Sequence, residues 1–336
     1  MSLSQRSVDK VLANPNEVSS REAMGLSEKF EERLDPHLFA SHRDLLAQDA
    51  SALVRELSTA SHSADRRIAA GAVLGILGDP RLCTLRPDMV RLPGGAVTLG
   101  LDESRVDEVY ERWSHVGVQR HWITKECPAH VMQLKPFALA RYPVTNQEYR
   151  DFLLDTGAHF LPSSWTHGVY PIFAANHPVW TVTPDAADAY VAWLSAQTGR
   201  KFRLPTESEW EYASSGGGGQ EYPWGNQFLP DHANTVETGP LTTTPVGCYP
   251  AGFTATGLAD MAGNVEEYTA STYAPYPGGT PVTDDLASVE PGYRIARGGS
   301  FSRYGDLCRC KRRHGWYRSP IYAMGFRIAE TLATNA

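Results

Sequence analysis

The densest set of reactive side chains lies between Arg297 and Arg327, RGGSFSRYGDLCRCKRRHGWYRSPIYAMGFR. It holds the thiols of Cys308 and Cys310, the imidazole of His314 and the hydroxyl of Ser300. Thiolates attack carbon and sulfur, bind soft metals and exchange with a substrate thiol. These residues are the catalytic candidates: Cys308, Ser300 and Cys310. Arg303, Tyr304, His314, Trp316 and Arg318 are the binding candidates, because guanidinium forks and aromatic rings grip anions and flat groups. Trp165, in a loop with His167 and Tyr170, is read either as a further pocket wall or as a hydrophobic plug. Glycine pairs such as Gly298-Gly299 let a backbone turn sharply or approach a ligand closely. Cys308-x-Cys310 serves one ion only where the chain bends, since in a strand the two side chains stand roughly 7 Å apart on one face. The competing reading makes one of these cysteines buried packing.

Elements that hold this stretch follow from pattern. The chain has 336 residues, 42% hydrophobic and 21% charged. That is an ordinary globular balance, long enough for a full core. Residues 1–83 read as a helical region and 84–332 as the main domain. His42 to Leu57 and Asp65 to Leu77 carry apolar residues at helical spacing, and Ser20 to Leu34 does so more weakly. Met89 to Gly100 alternates around Pro93-Gly94-Gly95 and reads as a hairpin. Phe137 to Tyr142 reads as a strand. Thr145 with Glu148, and Thr206 with Glu209, form capping boxes that start helices. Thr183-Pro184 starts another, which stops at Gly199. Glu209 and Glu211 are read as a cap and a surface charge. Tyr222 to Tyr276 is mostly turns, and loops that long are usually functional or tied down.

A net charge of -7 argues against a general nucleic-acid partner. No apolar run approaches the roughly 20 residues that span a bilayer, so no membrane partner is expected. Residues 1–20 are polar without a signal-peptide core, and the expected location is cytoplasmic. Five scattered cysteines do not form a disulfide framework.

Taken together, several ordered motifs resemble the formylglycine-generating enzyme, or sulfatase-modifying factor, family. They are Pro93-Gly94-Gly95, Glu126 and His130, RYPVTNQEYRDFL (141–153), HPV (177–179), RLPTESEWEYA (203–213), YPWGN (222–226), GLADMAGNVEEY (257–268), RGGSF (297–301) and the closing Gly325-Phe326-Arg327. The resemblance covers about 240 residues. It implies an α+β fold of the decorated C-type-lectin-like kind, loop-rich, here with a small N-terminal helical cap.

The resemblance also implies sites. Asp260, Gly263, Val265 and Glu267 stand at the family's calcium positions, Asp260 replacing the usual asparagine. Asn234 and the Thr235 carbonyl match a second calcium position whose partner acid is missing, with only Glu237 nearby. Copper-dependent members place cysteines three and eight residues after the serine of GGS. Counted from Ser300, these positions are Arg303 and Cys308, so the pair is incomplete. A redox metal, copper or iron, is left open. The implied function is an oxidoreductase-type modifying enzyme acting with O2 on a peptide or small-molecule natural-product substrate, other than standard formylglycine formation. The alternative is a non-catalytic lectin-like binder of a protein ligand, displaying a diversified surface between Ser300 and Gly325.

Overall fold

The computed structural model describes residues 11, 13–217 and 219–332. Among the described residues, nine short strands carry the main domain: β1 (Met89–Leu92), β2 (Gly95–Leu99), β3 (His130–Leu134), β4 (Phe137–Ala140), β5 (Phe202–Arg203), β6 (Glu266–Thr272), β7 (Arg294–Arg297), β8 (Met324–Phe326) and β9 (Ala329–Thr331). They form an antiparallel sheet of order β1-β4-β9-β5, a pair β2-β3, and a sheet of order β7-β6-β8 in which β6 and β8 run parallel. This is mixed helix and sheet without a closed barrel.

The hairpin expected around Pro93 does not form. β1 pairs with β4 and β2 with β3, so the chain passes from one sheet to another at the glycines. A Cβ at Gly94 would sit 2.5 Å from the Leu134 carbonyl oxygen. That close backbone approach, rather than a tight turn, is what the glycine permits.

Helix starts follow the caps. Thr145 and Thr206 both make complete capping boxes, with Glu148 and Glu209. Thr183 caps the helix Pro184–Thr198, and Gly199 ends it in the left-handed region at φ 68°. Early in the chain, the pattern from His42 divides into a 3-10 turn, Arg43–Ala47, and a helix Ala50–Ser58 started by Asp49. Between Ser20 and Leu34 only Ser20–Ala23 is helical. The helices Ala50–Ser58 and Ala64–Leu77 bury Leu53, Leu57, Ala70 and Leu74 against Cys248 and Tyr249. Arg67 fixes the contact by donating through Nε to the Cys248 carbonyl at 2.7 Å.

The aromatic core joins Tyr149, Phe152, Tyr190 and Phe326 beneath the helices Asn146–Thr156 and Pro184–Thr198. Trp165 belongs to it: its indole donates to Asn146 Oδ1 at 2.8 Å and its ring meets Tyr149 edge-on. It is the plug of the two readings.

Behind the sheets the C-terminal stretch is buried, and its cations are matched by carboxylates. Arg309 grips both Glu126 oxygens at 2.9 and 2.8 Å and reaches Glu221 at 2.9 Å. Arg297 donates to Glu207 at 2.7 Å and Glu211 at 3.0 Å, and Arg313 holds Glu207 from the other side. Glu211, expected on the surface, is only 2% exposed, because it must answer Arg297 and the Gly100 amide. Removing a charge from water costs several kcal/mol, so each buried ion needs its partner in place.

Glu221 gives this lattice a pH signature. Burial alone would raise its carboxyl, but Arg309 and Lys311 win and hold it at about 2 against an ordinary 4.5. The unfolded chain therefore takes up this proton first as pH falls. The stability contributed by Glu221 is complete above about 4.5 and lost on the way down to about 2. Urea midpoints measured from pH 6 to 2.5 should fall more steeply for the wild type than for Glu221→Gln, which starts lower and has less to lose.

Candidate functional site

Two neighbouring concavities meet at the C-terminal stretch. The outer one is a groove of about 650 Å³. Its walls come from the loop 161–163, the start of the helix Pro184–Thr198, strands β6 and β7, and the segment 316–322. Tyr268, Tyr293, Tyr322 and Trp316 supply its aromatic surface, and Arg294, Arg318 and Glu290 its charge. Arg294 is tied to Asp188 at 2.6 Å. Among the described residues Arg318 makes no ion pair, so its guanidinium faces the groove unspent. Trp316, 42% exposed, stands over the opening. An aromatic trough with few polar groups is the usual build of a ligand site.

Behind the groove wall lies a polar chamber. His314 Nδ1 and Glu266 Oε2 are 2.5 Å apart, both buried. Burial pushes the Glu266 carboxyl up to about 7, while burial and then Arg303, Arg312 and Lys125 hold His314 well below its ordinary value. Both shifts favour the uncharged form of each group. His314 stacks on Tyr322 at 5.2 Å, and the Arg303 guanidinium lies 5.1 Å from the same ring's centre. Lys125 bonds Asp284 at 2.5 Å and Tyr293 at 3.1 Å. Tyr293 and Tyr322 thus face the groove on one side and the chamber on the other.

The thiols do not join this arrangement. Cys308 and Cys310 are both fully buried and unpaired. Burial, followed by Glu237 and Asp306, pushes Cys308 well above its ordinary value, and burial pushes Cys310 up to about 12. Ser300 is buried too and shares a hydrogen bond with Ser302 at 3.0 Å. Tyr304 packs beside Cys308 in a hydrophobic cluster. Among the described residues no three His, Cys, Asp or Glu side chains are placed to hold a metal. A guanidinium at 303 cannot ligate Cu(I), so the residues present do not fit the family's copper pair.

Burial also corrects the expected display surface. Ser302, Arg303, Tyr304, Asp306, Arg309, Lys311 and His314 are all buried. Arg309 and Lys311 turn their charges inward to Glu221. Only the stretch around Trp316 to Ser319 offers side chains to solvent.

The two calcium positions differ. Glu267 takes Arg327 Nη2 on one oxygen at 2.7 Å, and Arg327 Nε and Trp210 Nε1 on the other at 2.9 and 2.8 Å. Asp260 accepts the Gly247 amide at 2.6 Å. With Glu267 already neutralised by a buried guanidinium, Asp260, Gly263, Val265 and Glu267 do not fit a cation as they stand. At the other position Asn234 Oδ1, Thr235 Oγ1 and Glu237 Oε2 are buried oxygens without a hydrogen-bond partner. A Cβ added at Gly239 would collide with Asn234 Oδ1 and lie 2.6 Å from the Thr235 carbonyl oxygen. A cradle of hard oxygens of this kind fits Ca²⁺.

Residues 79–332 match the family model described as sulfatase-modifying factor enzyme 1-like domain. The chain belongs to that family. It is 32% identical over 63% of its length to a hercynine oxygenase of Mycolicibacterium smegmatis, covering 54% of that relative. The chain therefore spans about half the length of the hercynine oxygenases it matches. It is 31% identical over 65% of its length to the formylglycine-generating enzyme of Streptomyces coelicolor, covering 80% of it. Among solved structures it resembles PvdO from Pseudomonas aeruginosa, with a TM-score of 0.58 and 28% identity, covering 74% of this chain and 96% of that one.

Sequence reasoning missed Lys125, Asp284, Glu266, Tyr293 and Tyr322. Lys125 and Asp284 meet across 159 positions, which no local motif announces. Glu266 carried a signal: a second acid beside Glu267 at the start of a strand.

Thiol chemistry tests the site directly. An aromatic disulfide reagent at pH 8 should label Cys83 in the folded chain, where it is partly exposed, and all five cysteines only after denaturation. Rapid labelling of Cys308 or Cys310 in the native chain would contradict their burial.

Proposed function

We propose that the chain is an oxidoreductase-type modifying enzyme that uses O2 on a peptide or small-molecule natural-product substrate held in the Trp316–Tyr322 groove. The observation that carries this reading is a groove backed by the buried, closely spaced Glu266–His314 pair where the two-thiol device is incomplete. Standard formylglycine formation needs both thiols; here Arg303 replaces one and Cys308 is sealed. The relatives named hercynine oxygenase and formylglycine-generating enzyme support an oxygen-using reaction.

The chain's own groups have definite tasks. The aromatic walls orient the substrate and exclude water. Arg318 holds an acceptor group at the mouth. His314 Nδ1 and Glu266 Oε2 stand within hydrogen-bond distance, and a proton can pass between them without changing the net charge of the pair. Asn234, Thr235 and Glu237 would hold Ca²⁺ and brace the loop beneath Cys308; its contribution is structural. Among the described residues no helix is long and apolar enough to cross a membrane, and the negative net charge favours no nucleic-acid partner. A cytoplasmic location remains part of this reading.

A second reading, a binder without turnover, is favoured by the sealed thiols and the missing metal donors. Its surface would be the groove rather than the whole 300–325 interval. Oxygen uptake and product mass separate the two. The purified chain with metal-supplemented peptide and metabolite pools should consume O2 and give a product of changed mass. Binding of a pool component without O2 use would establish the binder. A sulfatase-type cysteine peptide should give no uptake; rapid turnover of it would overturn both readings.

Two further outcomes follow. Trp316→Ala and Arg318→Ala should each weaken substrate binding about tenfold, or about 1.4 kcal/mol, while leaving Tm within error, because both side chains are solvent-facing. Calcium at about 100 times its Kd should stabilise the wild type by about 2.7 kcal/mol, seen as a raised Tm. Glu237→Gln should lose that gain, and Glu267→Gln should not.

A further inference from the structure

One loop shows water more apolar surface than its own packing uses. From the last turn of the helix Asn146–Thr156 to the turn Ile172–Ala174, the chain puts out Leu154, Phe160, Leu161, Val169, Ile172 and Phe173, each 40 to 76% exposed. Single exposed apolar residues are ordinary, but a contiguous set marks a surface that something covers.

The set is contiguous. Leu154 lies one turn beyond Arg150 on the same helix face, and the Arg150 guanidinium stands 5.1 Å from the centre of the Tyr170 ring. Val169 precedes Tyr170. The Ile172 amide donates to the Tyr170 carbonyl at 3.0 Å, which folds Ile172 and Phe173 back beside it. A Cβ added at Gly168 would lie 3.3 Å from Leu161 Cδ1, so the two limbs of the loop touch there. Phe160, next to Leu161, accepts the Tyr149 hydroxyl on its carbonyl at 2.8 Å.

The loop is braced in this shape. Trp165 fills the inward place and donates to Asn146 Oδ1 at 2.8 Å. Asn146 Nδ2 in turn donates to the Ala174 carbonyl at 2.9 Å, and Ser164 Oγ to the Trp180 carbonyl at 2.7 Å. With its interior side occupied, the loop holds the six apolar side chains outward. A surface preformed in this way loses little conformational freedom on docking.

Area and charge select what docks. At about 100 Å² of exposed surface each, the six present on the order of 600 Å², the upper end for a monomer. Two copies face to face would bury on the order of 1,200 Å² before any rim contact, which reaches the range of specific, stable interfaces. The nearby charges have both signs. Arg150 and Asp151 meet only at 3.7 Å, and both are partly exposed. Asp155 is held by two neutral donors, Trp193 Nε1 at 2.7 Å and Gln197 Nε2 at 2.9 Å, so its charge is unanswered. About a twofold axis a patch meets itself, and a rim that carries both a cation and anions is complementary to its own copy. A bilayer surface favours a basic rim, whereas Arg150 here stands against Asp151 and Asp155.

We propose that the face from Leu154 to Phe173 joins two copies of this chain in solution as a twofold homodimer. Leu161 also lines the open groove, so the second copy sits at the groove's rim. The proposal goes beyond the enzyme reading and does not depend on it.

Sedimentation velocity and light scattering on the full chain test it. Over a dilution series the wild type should give twice the 36.9 kDa chain mass, falling towards one chain as it is diluted. Phe173→Asp adds a charge at an exposed position and should raise the dimer Kd about tenfold or more. Val169→Asp should do the same. Phe30→Asp, at a still more exposed site in the N-terminal region, should leave the dimer intact. Thermal melts show whether each variant is folded, and a Phe173→Asp chain that does not melt cooperatively is replaced by Val169→Asp. A wild type that stays at one chain mass throughout, a dimer that both loop substitutions leave intact, or one that Phe30→Asp breaks as readily would each overturn the proposal. Flotation of the wild type with vesicles of phosphatidylcholine and phosphatidylglycerol, abolished by Phe173→Asp, would also overturn it and assign the face to a membrane. None of these readouts needs turnover. A dimer without oxygen uptake upholds the interface and leaves the enzyme reading to fall alone; an active monomer sinks the interface alone.

Discussion

Arg309 between Glu126 and Glu221 is the contact on which the C-terminal half depends. It joins a residue near the end of the chain to one 183 positions earlier and another 88 earlier. None of the three tolerates burial alone, since an isolated charge in the interior costs several kcal/mol. Each therefore requires the fold that brings the others. Arg297, Arg313 and Arg327 repeat the arrangement with Glu207, Glu211 and Glu267. A domain whose strands are two to seven residues long has little cooperative sheet to rely on. Directional ion pairs supply the register that long elements would otherwise supply.

That economy shapes the site. Charges used to hold the loops together are unavailable for chemistry, and the thiols buried among them are protonated and shielded. Arg303 Nη1, Arg312 Nε and Glu266 Oε1 are among the buried polar atoms left without a hydrogen-bond partner, and all three belong to the chamber. Beside them Tyr293 and Tyr322 form a wall shared with the open groove. A ligand in the groove therefore touches the same two rings that cover the chamber's cations. The hydroxyl of Tyr322 also donates to Asn16 Oδ1, which ties the N-terminal residues 13–18 to this wall.

The legibility of the sequence varied with the range of the interaction. Thr145, Thr183 and Thr206 announced their helices, because a cap is settled within four residues. The hairpin at Pro93 was misread, because alternation shows that two segments are strands and says nothing about which partner each takes. Gly94 looked like a turn and instead makes room for the Leu134–Lys135 backbone. The run from Arg309 to His314 looked like a polar surface because it is charged. Its burial depends on carboxylates at 126, 207, 221 and 266, scattered over the preceding 190 positions.

By itself the sequence determined the family, the α+β class, the helix starts and the incompleteness of the thiol pair, since each is written in residue identity and short spacing. Only the tertiary structure decided that Cys308 and Cys310 are sealed, that Glu267 is already answered by Arg327, that oxygens of Asn234, Thr235 and Glu237 are buried without hydrogen-bond partners, and that Asn16 is fastened to Tyr322 and Asp285. Those outcomes turn on which charges and hydrogen-bonding groups are brought together out of water, and desolvation is a property of a place in the fold rather than of a position in the chain.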